Sequence, residues 1–317
     1  MFDSETFIKD SITQLKDKIK GKAIMGVSGG VDSTTAAILV NQAIGDNLFC
    51  VLVDTGFLRK GEVEKNHQMF KKIGLNVLSV DAKERFYKKL EKIIDPEEKR
   101  KIIGELFIRV FEEIAKEKKA KYFIQGTIAP DWIESGGGLR DTIKSHHNVG
   151  GLPKDINFEI VEPLRDIYKD EVRQVGKTLG LPEEIHQKQP FPGPGLAVRI
   201  LGEATVRRAE VVREACHIVE TEIEEAVKKK ELEKPWQYFA VLLPLKAVGV
   251  HGDLRAYKNI VVVRAVTSID GMSASYSKIP DTVLERISIQ ITNKLKNHVA
   301  RVLYDITNKP PGTIEYE

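Results

Sequence analysis

The stretch AIMGVSGGVDSTTAAILV, residues 23–40, decides the fold. It opens with a short apolar run at 23–27 that is typical of a buried strand, and a helical pattern follows at 33–43. Two glycines and two short hydroxyl side chains fill the turn between them, SGGVDS at 28–33. A strand-to-helix turn of this composition points successive backbone N–H groups and a helix N-terminus at one spot. The stretch therefore predicts an anion site.

Each residue type in this turn suits a phosphate group. Gly29 and Gly30 allow a close approach of the backbone, and the hydroxyls of Ser28 and Ser33 add donors. Asp32 would repel a bare phosphate, so its presence predicts a Mg²⁺ ion that bridges the carboxylate and pyrophosphate oxygens. The predicted nucleotide-binding residues of the turn are Ser28, Gly29, Gly30, Val31, Asp32 and Ser33.

The turn lacks two other phosphate-binding signatures. It has no Gly-Lys-Ser/Thr ending, whose lysine reaches the β- and γ-phosphates, and no G-x-G-x-x-G dinucleotide pattern. A kinase that transfers the γ-phosphoryl group is therefore disfavoured.

The pattern around the turn predicts a doubly wound α/β domain. Short β-branched runs alternate with longer helical patterns, which is the signature of βαβ units around a parallel sheet. The strand-like runs occupy 23–27, 49–54, 76–80 and 122–125, and the helical patterns occupy 33–43, 62–73 and 95–118.

The pattern fails from 132 to 158, where five glycines and a polar cluster replace the periodicity. An irregular segment of this length inside a domain is typical of a lid over a functional site. A helix is predicted at 169–179, and QPFPGPGL at 189–196 excludes regular structure. We therefore expect a first domain at 1–189 and a second at 190–317.

The second domain reads as a β-α-β-β-α-β unit. Its predicted strands lie at 197–201, 238–243, 259–267 and 301–306, and its helices at 204–230 and 281–298. A sheet with helices on one face leaves the other face open, and an open apolar face on a small domain often packs against a second subunit. The pattern predicts a homodimer formed through this C-terminal domain.

Composition limits the class of protein. The chain has 317 residues, 42% of them hydrophobic, which is enough for two buried cores. Its net charge of +3 is too balanced for nucleic-acid binding over the whole surface. The N-terminus has no signal peptide or membrane-spanning run, so we expect a cytoplasmic protein without membrane partners. Cys50 and Cys216 read as core thiols, too few for a disulfide framework or a four-cysteine zinc site.

The turn resembles the PP-loop of the N-type ATP pyrophosphatases. The resemblance then extends through QGTIAPDWIES (125–135), IKSHHNVGGLP (143–153), PFPGPGL (190–196) and KPPGTIEYE (309–317), which are similar, in this order, to the synthetase portion of GMP synthetase. Only about twenty residues precede the first strand, and neither cysteine has the setting of a glutaminase nucleophile. The chain is thus expected to be the synthetase subunit of a two-subunit enzyme, with ammonia from a separate glutaminase subunit.

The resemblance implies a two-step reaction. The O2 of XMP attacks the α-phosphorus of ATP, and ammonia then displaces AMP to give GMP. Charge builds on the α-phosphate and the departing pyrophosphate, so fixed cations and donors aimed there are what catalysis needs. The resemblance assigns this role to Lys144, His146 and His147. Asp131 and Glu134, which a helical turn would place on one face, are expected to share Mg²⁺ with Asp32.

The remaining residues are expected at the two nucleotide sites. Val53 and Gly126, at the carboxyl ends of strands where open α/β sheets bind ligands, are assigned to the adenine. The resemblance implies that XMP is bound by Arg100, Gln237, Arg301, Lys309, Ile314 and Glu315. The helix start at Lys169, Asp170 and Glu171 is either a contact for the glutaminase or a solvated surface.

Rival interpretations fit less of the chain. A tRNA-thiolating enzyme would need catalytic cysteines in the ATP domain and a basic face, and NAD synthetase would leave the second domain and the KPPGTIE tail without a role. Argininosuccinate synthetase is a further relative in fold and chemistry. A nucleotide-binding regulatory subunit would not need Asp32, Asp131, Glu134 and the Lys-His-His cluster. The chain departs from the family at Tyr316, where tryptophan is common, and at 136–141.

Overall fold

The computed structural model describes residues 2–129, 158–186, 188–251, 254–269 and 271–317. The chain divides into two compact units. The first comprises Met1–Asp54, Gly61–Ala82 and Ile103–Lys188, and the second comprises Thr55–Lys60, Lys83–Ile102 and Gln189–Glu317. The sequence predicts a single boundary between residues 189 and 190. The observed division has a boundary next to this point, but two earlier segments, Thr55–Lys60 and Lys83–Ile102, also belong to the second unit.

The first unit contains a five-stranded parallel sheet in the order β3-β2-β1-β4-β5. Its strands are β1 (Ala23–Gly26), β2 (Leu48–Asp54), β3 (Val77–Asp81), β4 (Tyr122–Ile124) and β5 (Glu159–Val161). Four of them are the predicted strands with ends shifted by one residue or two. The doubly wound α/β fold is confirmed, and β5 is a strand that the sequence pattern did not predict.

Helices cover both faces of this sheet. They are α1 (Ser4–Lys18), α2 (Val31–Ile44), α3 (Glu62–Lys72), α5 (Pro96–Lys118), α6 (Lys169–Thr178) and α7 (Glu183–His186). The first residues of α5, and the whole of α4 (Lys83–Lys89), belong to the second unit. One apolar core joins Leu15, Met25, Leu39, Phe70 and Val175, from α1, β1, α2, α3 and α6.

The opposite face of the sheet is covered by α5, whose Phe111 packs edge-on against Phe123 of β4 with ring centroids 5.6 Å apart. Gly26, the last residue of β1, lies under the same ring, since a Cβ there would lie 2.7 Å from the Cζ atom of Phe111. Burial raises the pKa of the Cys50 thiol on β2 to about 12. This cysteine is a core thiol, as predicted.

The second unit is built on a sheet with β7 at its centre. Its strands are β6 (Gln237–His251), β7 (Leu254–Thr267), β8 (Ser275–Tyr276) and β9 (Val299–Tyr304), and its helices are α8 (Val206–Lys228) and α9 (Asp281–Lys294). β6 and β8 pair with β7 antiparallel, and β9 pairs with it parallel. α8 packs on β6, and α9 packs on α8 and β9.

One predicted strand of this unit is wrong. The segment at 197–201 is instead the end of a 3₁₀ helix, Gly195–Arg199, followed by a single bridge between Ile200 and Leu242. Gly195 has a φ of +66°, and a Cβ there would lie 2.4 Å from the carbonyl oxygen of Phe57. This close approach favours a tight turn over an extended strand.

The prediction of an open sheet face is wrong for the centre of the sheet. Phe239 and Arg264 are cross-strand partners on β6 and β7, and both are fully buried. The guanidinium of Arg199 stacks on the Phe239 ring at 4.1 Å, and Arg264 donates to the carbonyl oxygens of Thr307 (2.5 Å) and Thr313 (2.8 Å). The chain's own C-terminal tail, residues 305–317, therefore covers this face.

Apolar side chains remain exposed at the far end of the β6–β7 hairpin, at Val248, Val250, Leu254 and Tyr257. None of the helices that the structure describes combines the length and the apolar run that crossing a membrane requires.

Replacing Arg264 with methionine should lower the free energy of unfolding of the second unit by about 3 kcal/mol. The change leaves Asp305, whose carboxylate lies 3.1 Å from Arg264, and the tail carbonyl groups without their buried partner. Urea unfolding followed by circular dichroism measures the loss. Arg255→Met, on an exposed position of the same strand, is the control and should unfold like the parent chain; equal stability of all three proteins would contradict the anchoring role.

Candidate functional site

The phosphate loop, residues 27–30, lies at the point where the strand order of the first sheet reverses. β1 has β2 on one side and β4 on the other, and the chain leaves β1 through this loop directly into α2. In open α/β sheets, ligands bind at the carboxyl ends of the strands at such a switch point. The fold therefore places the predicted anion site where a nucleotide is expected.

The loop is held by its own serines. The Oγ atoms of Ser28 and Ser33 lie 3.1 Å apart, the N–H of Gly30 donates to Ser28 Oγ at 3.3 Å, and Ser33 Oγ donates to the Gly30 carbonyl at 3.3 Å. Gly30 is the N-cap of α2 and offers no side chain to the first N–H groups of the helix. These donors, with about half a positive charge at the helix end, suit the oxygens of a bound phosphate.

A side chain is excluded at Gly29 and disfavoured at Gly126. Gly29 has a φ of +73°, and a Cβ there would lie 2.4 Å from Oδ1 of Asn66 on α3. Gly126 follows β4, and a Cβ there would lie 3.3 Å from the backbone nitrogen of Ser33. The structure thus brings Gly126 beside the start of α2. Val53, by contrast, is a buried residue within β2.

The carboxylate of Asp32 is only partly satisfied. Its Oδ2 atom forms an ion pair with the ammonium group of Lys169. Its Oδ1 atom is buried and has no hydrogen-bond partner among the residues that the structure describes. A carboxylate oxygen in this state, beside a helix N-terminus that attracts phosphate, fits a Mg²⁺ ligand.

Lys169 lies beside the phosphate loop, where its ammonium group pairs with Asp32. The sequence pattern did not predict this contact. Lys169 is the first residue of α6, and the chain reaches it from the carboxyl end of β5. Because the carboxyl ends of parallel strands meet at one edge of a sheet, recognising β5 would have predicted that Lys169 lies near the phosphate loop. The strand has three residues, too few for a periodic signal.

The tail of the second unit brings two of the predicted XMP residues together. Glu315 accepts two hydrogen bonds from Arg199, at 3.0 and 2.7 Å, and one from Nε2 of Gln237 at 2.7 Å. Arg199 is fully buried; burial opposes its charge, but Glu315 raises the pKa of the guanidinium above its ordinary value. Arg199 therefore holds the Glu315 carboxylate in place.

Other contacts hold the rest of the tail. Asp305 accepts a hydrogen bond from Tyr316 at 2.6 Å. Burial opposes ionisation of Asp305, but hydrogen bonds from Tyr316 and Thr307 hold the pKa of its carboxyl below its usual value. Lys309 donates to the Gly271 carbonyl at 2.8 Å, and Arg264 reaches the Ile314 carbonyl at 3.4 Å.

The last residue, Glu317, is bound by cations that begin α5. Its side chain pairs with the buried ammonium of Lys99, and its backbone oxygen accepts from Arg100. Burial lowers the pKa of Lys99 and raises that of Glu317. Arg100 thus lies at the tail with Glu315, whereas Arg301 is exposed on β9, apart from the tail contacts that the structure describes. Asp131, Glu134, Lys144, His146 and His147 lie outside the described residues.

Three features occur together at this site: an SGGVDS loop at the switch point of a parallel sheet, uncapped helix donors, and a carboxylate suited to a metal. Together they define a PP-loop nucleotide-binding protein of the ATP pyrophosphatase class. Family models agree with both halves of the chain. The model described as NAD synthase matches residues 2–121, and the one described as GMP synthase C terminal domain matches residues 224–316.

Curated relatives specify the family. The chain is 58% identical to a subunit of GMP synthase [glutamine-hydrolyzing] from Thermococcus kodakarensis, over 99% of both chains, and 57% identical to the same subunit from Pyrococcus furiosus, over 99% of this chain and 97% of the relative. It is 56% identical to GMP synthase [glutamine-hydrolyzing] of Caldicellulosiruptor saccharolyticus, over 99% of this chain and 61% of the relative. The chain belongs to this family of GMP synthase subunits.

Gly29→Ala should weaken ATP binding by at least about tenfold, because the methyl group meets the Asn66 amide and displaces the loop. Gly74→Ala is the matched control: Gly74 has a φ of +74° and no atom within 4 Å of a built Cβ. Both variants carry the backbone cost of about 1 to 2 kcal/mol, so thermal melting should fall in both. Calorimetric titration with ATP should separate them, and equal affinity in the two variants would refute a phosphate role for this turn.

Proposed function

We propose that this chain is a ligase that uses ATP to aminate XMP to GMP through an adenylyl-XMP intermediate, releasing AMP and pyrophosphate. The observation that carries the proposal is the 58% identity to a GMP synthase subunit, which spans both the phosphate loop and the tail. The matched NAD synthase model covers only the first part of the chain and leaves the tail without a role. The amination of XMP accounts for both units.

In the first step, the phosphate loop binds ATP and the pyrophosphate that departs from it. The first N–H groups of α2 and the hydroxyls of Ser28 and Ser33 donate to phosphate oxygens, where negative charge grows as the xanthine oxygen attacks the α-phosphorus. Asp32 would hold Mg²⁺, which when bound neutralises charge on the phosphates. Lys169 pairs with Asp32 and is in place to contact a phosphate oxygen. Gly126 lets the adenine side of the nucleotide approach the start of α2. Val53 belongs to β2, the strand that pairs with β1.

In the second unit, the tail binds XMP. The Glu315 carboxylate is an acceptor for the N–H groups of the xanthine or for the ribose hydroxyls, and Gln237 adds an amide at the same point. Lys309 and Arg100, which contact the tail or its neighbours, supply cations that a nucleotide phosphate requires. Arg301 adds a third cation from its exposed position on β9, and Ile314, which is buried in the tail, supplies apolar contact.

The segment from 132 to 158 acts as the lid in this proposal. Lys144, His146 and His147 stabilise the charge that develops during adenylylation, and Asp131 and Glu134 complete the Mg²⁺ ligands with Asp32. The support is the family membership together with the residue types, since a lysine and two histidines can donate hydrogen bonds to phosphate oxygens.

We also propose the assembly in which the chain works. Ammonia comes from a separate glutaminase subunit, which agrees with the relatives, since they are named as one subunit of a glutamine-hydrolysing synthase. A homodimer forms through the second unit, in the cytoplasm. Its support is the exposed apolar end of the β6–β7 hairpin, where Val250, Leu254 and Tyr257 are each more than two-thirds exposed.

The assay that tests the function contains the purified chain, ATP, Mg²⁺, XMP and an ammonium salt. We expect GMP, AMP and pyrophosphate in equal amounts, and no product when glutamine replaces ammonium. The deamido form of NAD in place of XMP should give no turnover. Pyrophosphate release that is the same with and without XMP would contradict the amination of XMP. Glutamine hydrolysis by this chain alone would refute the separate glutaminase subunit.

Glu315→Gln should raise the KM for XMP by about tenfold and leave the KM for ATP unchanged, because it replaces a carboxylate acceptor by an amide and leaves the buried Arg199 without its ion-pair partner. Steady-state kinetics with each substrate varied in turn measures both constants. Glu285→Gln, the same change at an exposed position of α9, is the control. A rise in both KM values, or in neither, would contradict a role for Glu315 in binding XMP.

A further inference from the structure

Asn66 occupies an unusual place in α3. The helix packs on the core of the first unit through Val63, Phe70 and Ile73, which recur at helical spacing. Asn66 lies in the same stripe and is 4% exposed. A buried amide in an apolar stripe costs free energy unless its polar atoms are hydrogen-bonded, so the contacts of this side chain explain its presence.

Those contacts are with the phosphate loop. The Nδ2 group of Asn66 donates to the carbonyl oxygen of Ser28 at 3.3 Å. The same amide fills the space beside Gly29, since Oδ1, Cγ and Nδ2 would lie 2.4, 2.8 and 2.9 Å from a Cβ there. One side chain therefore holds the Ser28 carbonyl and packs flat against the next residue.

Planarity of the peptide bond gives this contact a consequence for the ligand. In a trans peptide the C=O and the following N–H point in opposite directions. Because Asn66 fixes the direction of the Ser28 carbonyl, it also fixes the direction of the Gly29 N–H, which faces away from α3. Among the residues that the structure describes, no acceptor is found for this N–H.

We infer that Asn66 is a positioning residue for the phosphate loop, which orients the Ser28–Gly29 peptide so that the Gly29 N–H donates to the departing pyrophosphate. Asn66 acts through the backbone and does not touch the ligand. The inference rests on the proposed function, because it assigns the loop to pyrophosphate.

The test uses inorganic pyrophosphate as the probe, with Mg²⁺ and the full chain. Asn66→Asp keeps the shape but cannot donate to the Ser28 carbonyl when ionised, and Asn66→Leu keeps the volume without any polar atom. Both should weaken pyrophosphate binding by at least about tenfold in calorimetric titration, the equivalent of about 1.4 kcal/mol. Gln68→Glu, the amide-to-carboxylate change at an exposed position of the same helix, should bind like the parent chain.

A second measurement separates positioning from folding. In ¹⁵N-labelled parent chain, the Gly29 amide resonance should shift on addition of pyrophosphate, and in Asn66→Leu this shift should be lost while the resonances of the sheet stay in place. Affinity and Gly29 shifts equal to those of the parent chain would overturn the inference. A parent chain that binds pyrophosphate but makes no GMP would refute the proposed function and leave the inference standing.

Discussion

The first unit depends on a helix start that the protein leaves uncapped. α2 begins at the end of the central strand β1 with Gly30 as its N-cap, so no side chain satisfies its first N–H groups. Most helices place a serine, threonine or aspartate there. Here Ser28 and Ser33 bond to each other and to the turn instead, and the helix donors remain available for an anion. These uncapped donors support the phosphate role proposed for the loop.

A comparable constraint shapes the second unit, where two arginines are fully buried. A guanidinium can be buried only with its charge and its donors satisfied. Arg199 is satisfied by Glu315 and by the Phe239 ring, and Arg264 by Asp305 and the carbonyl groups of the tail. The tail is therefore the counter-charge of the core and not a flexible appendage. The acceptor proposed for XMP is held by the same bonds that complete the fold.

The local sequence pattern predicted some elements of the fold, but it did not predict elements that depend on distant residues. The apolar run and the SGGVDS turn predicted β1, α2 and their anion site, because all of that information lies within twenty residues. The three-residue β5, and the 3₁₀ turn at Gly195 that is set by the distant Phe57 carbonyl, leave little local signal. The resemblance assigned Glu315 and Gln237 to XMP, an assignment that stays a prediction. Nothing in the sequence around Arg199 distinguishes it from an arginine on the surface, since its partner lies 116 residues away.

Three residues that the sequence did not predict share one property. Each of them neutralises or orients a group that the sequence did predict as part of a site. Lys169 pairs with Asp32, Arg199 pairs with Glu315, and Asn66 holds the carbonyl of Ser28. A ligand-binding residue can be recognised in the sequence from its side-chain type and the residues around it. The residue that holds it in place can be any residue that the fold brings into contact with it. Lys169 also offsets the charge of Asp32 beside the helix donors. The ion pair therefore lowers the negative charge that a phosphate group would meet at the loop.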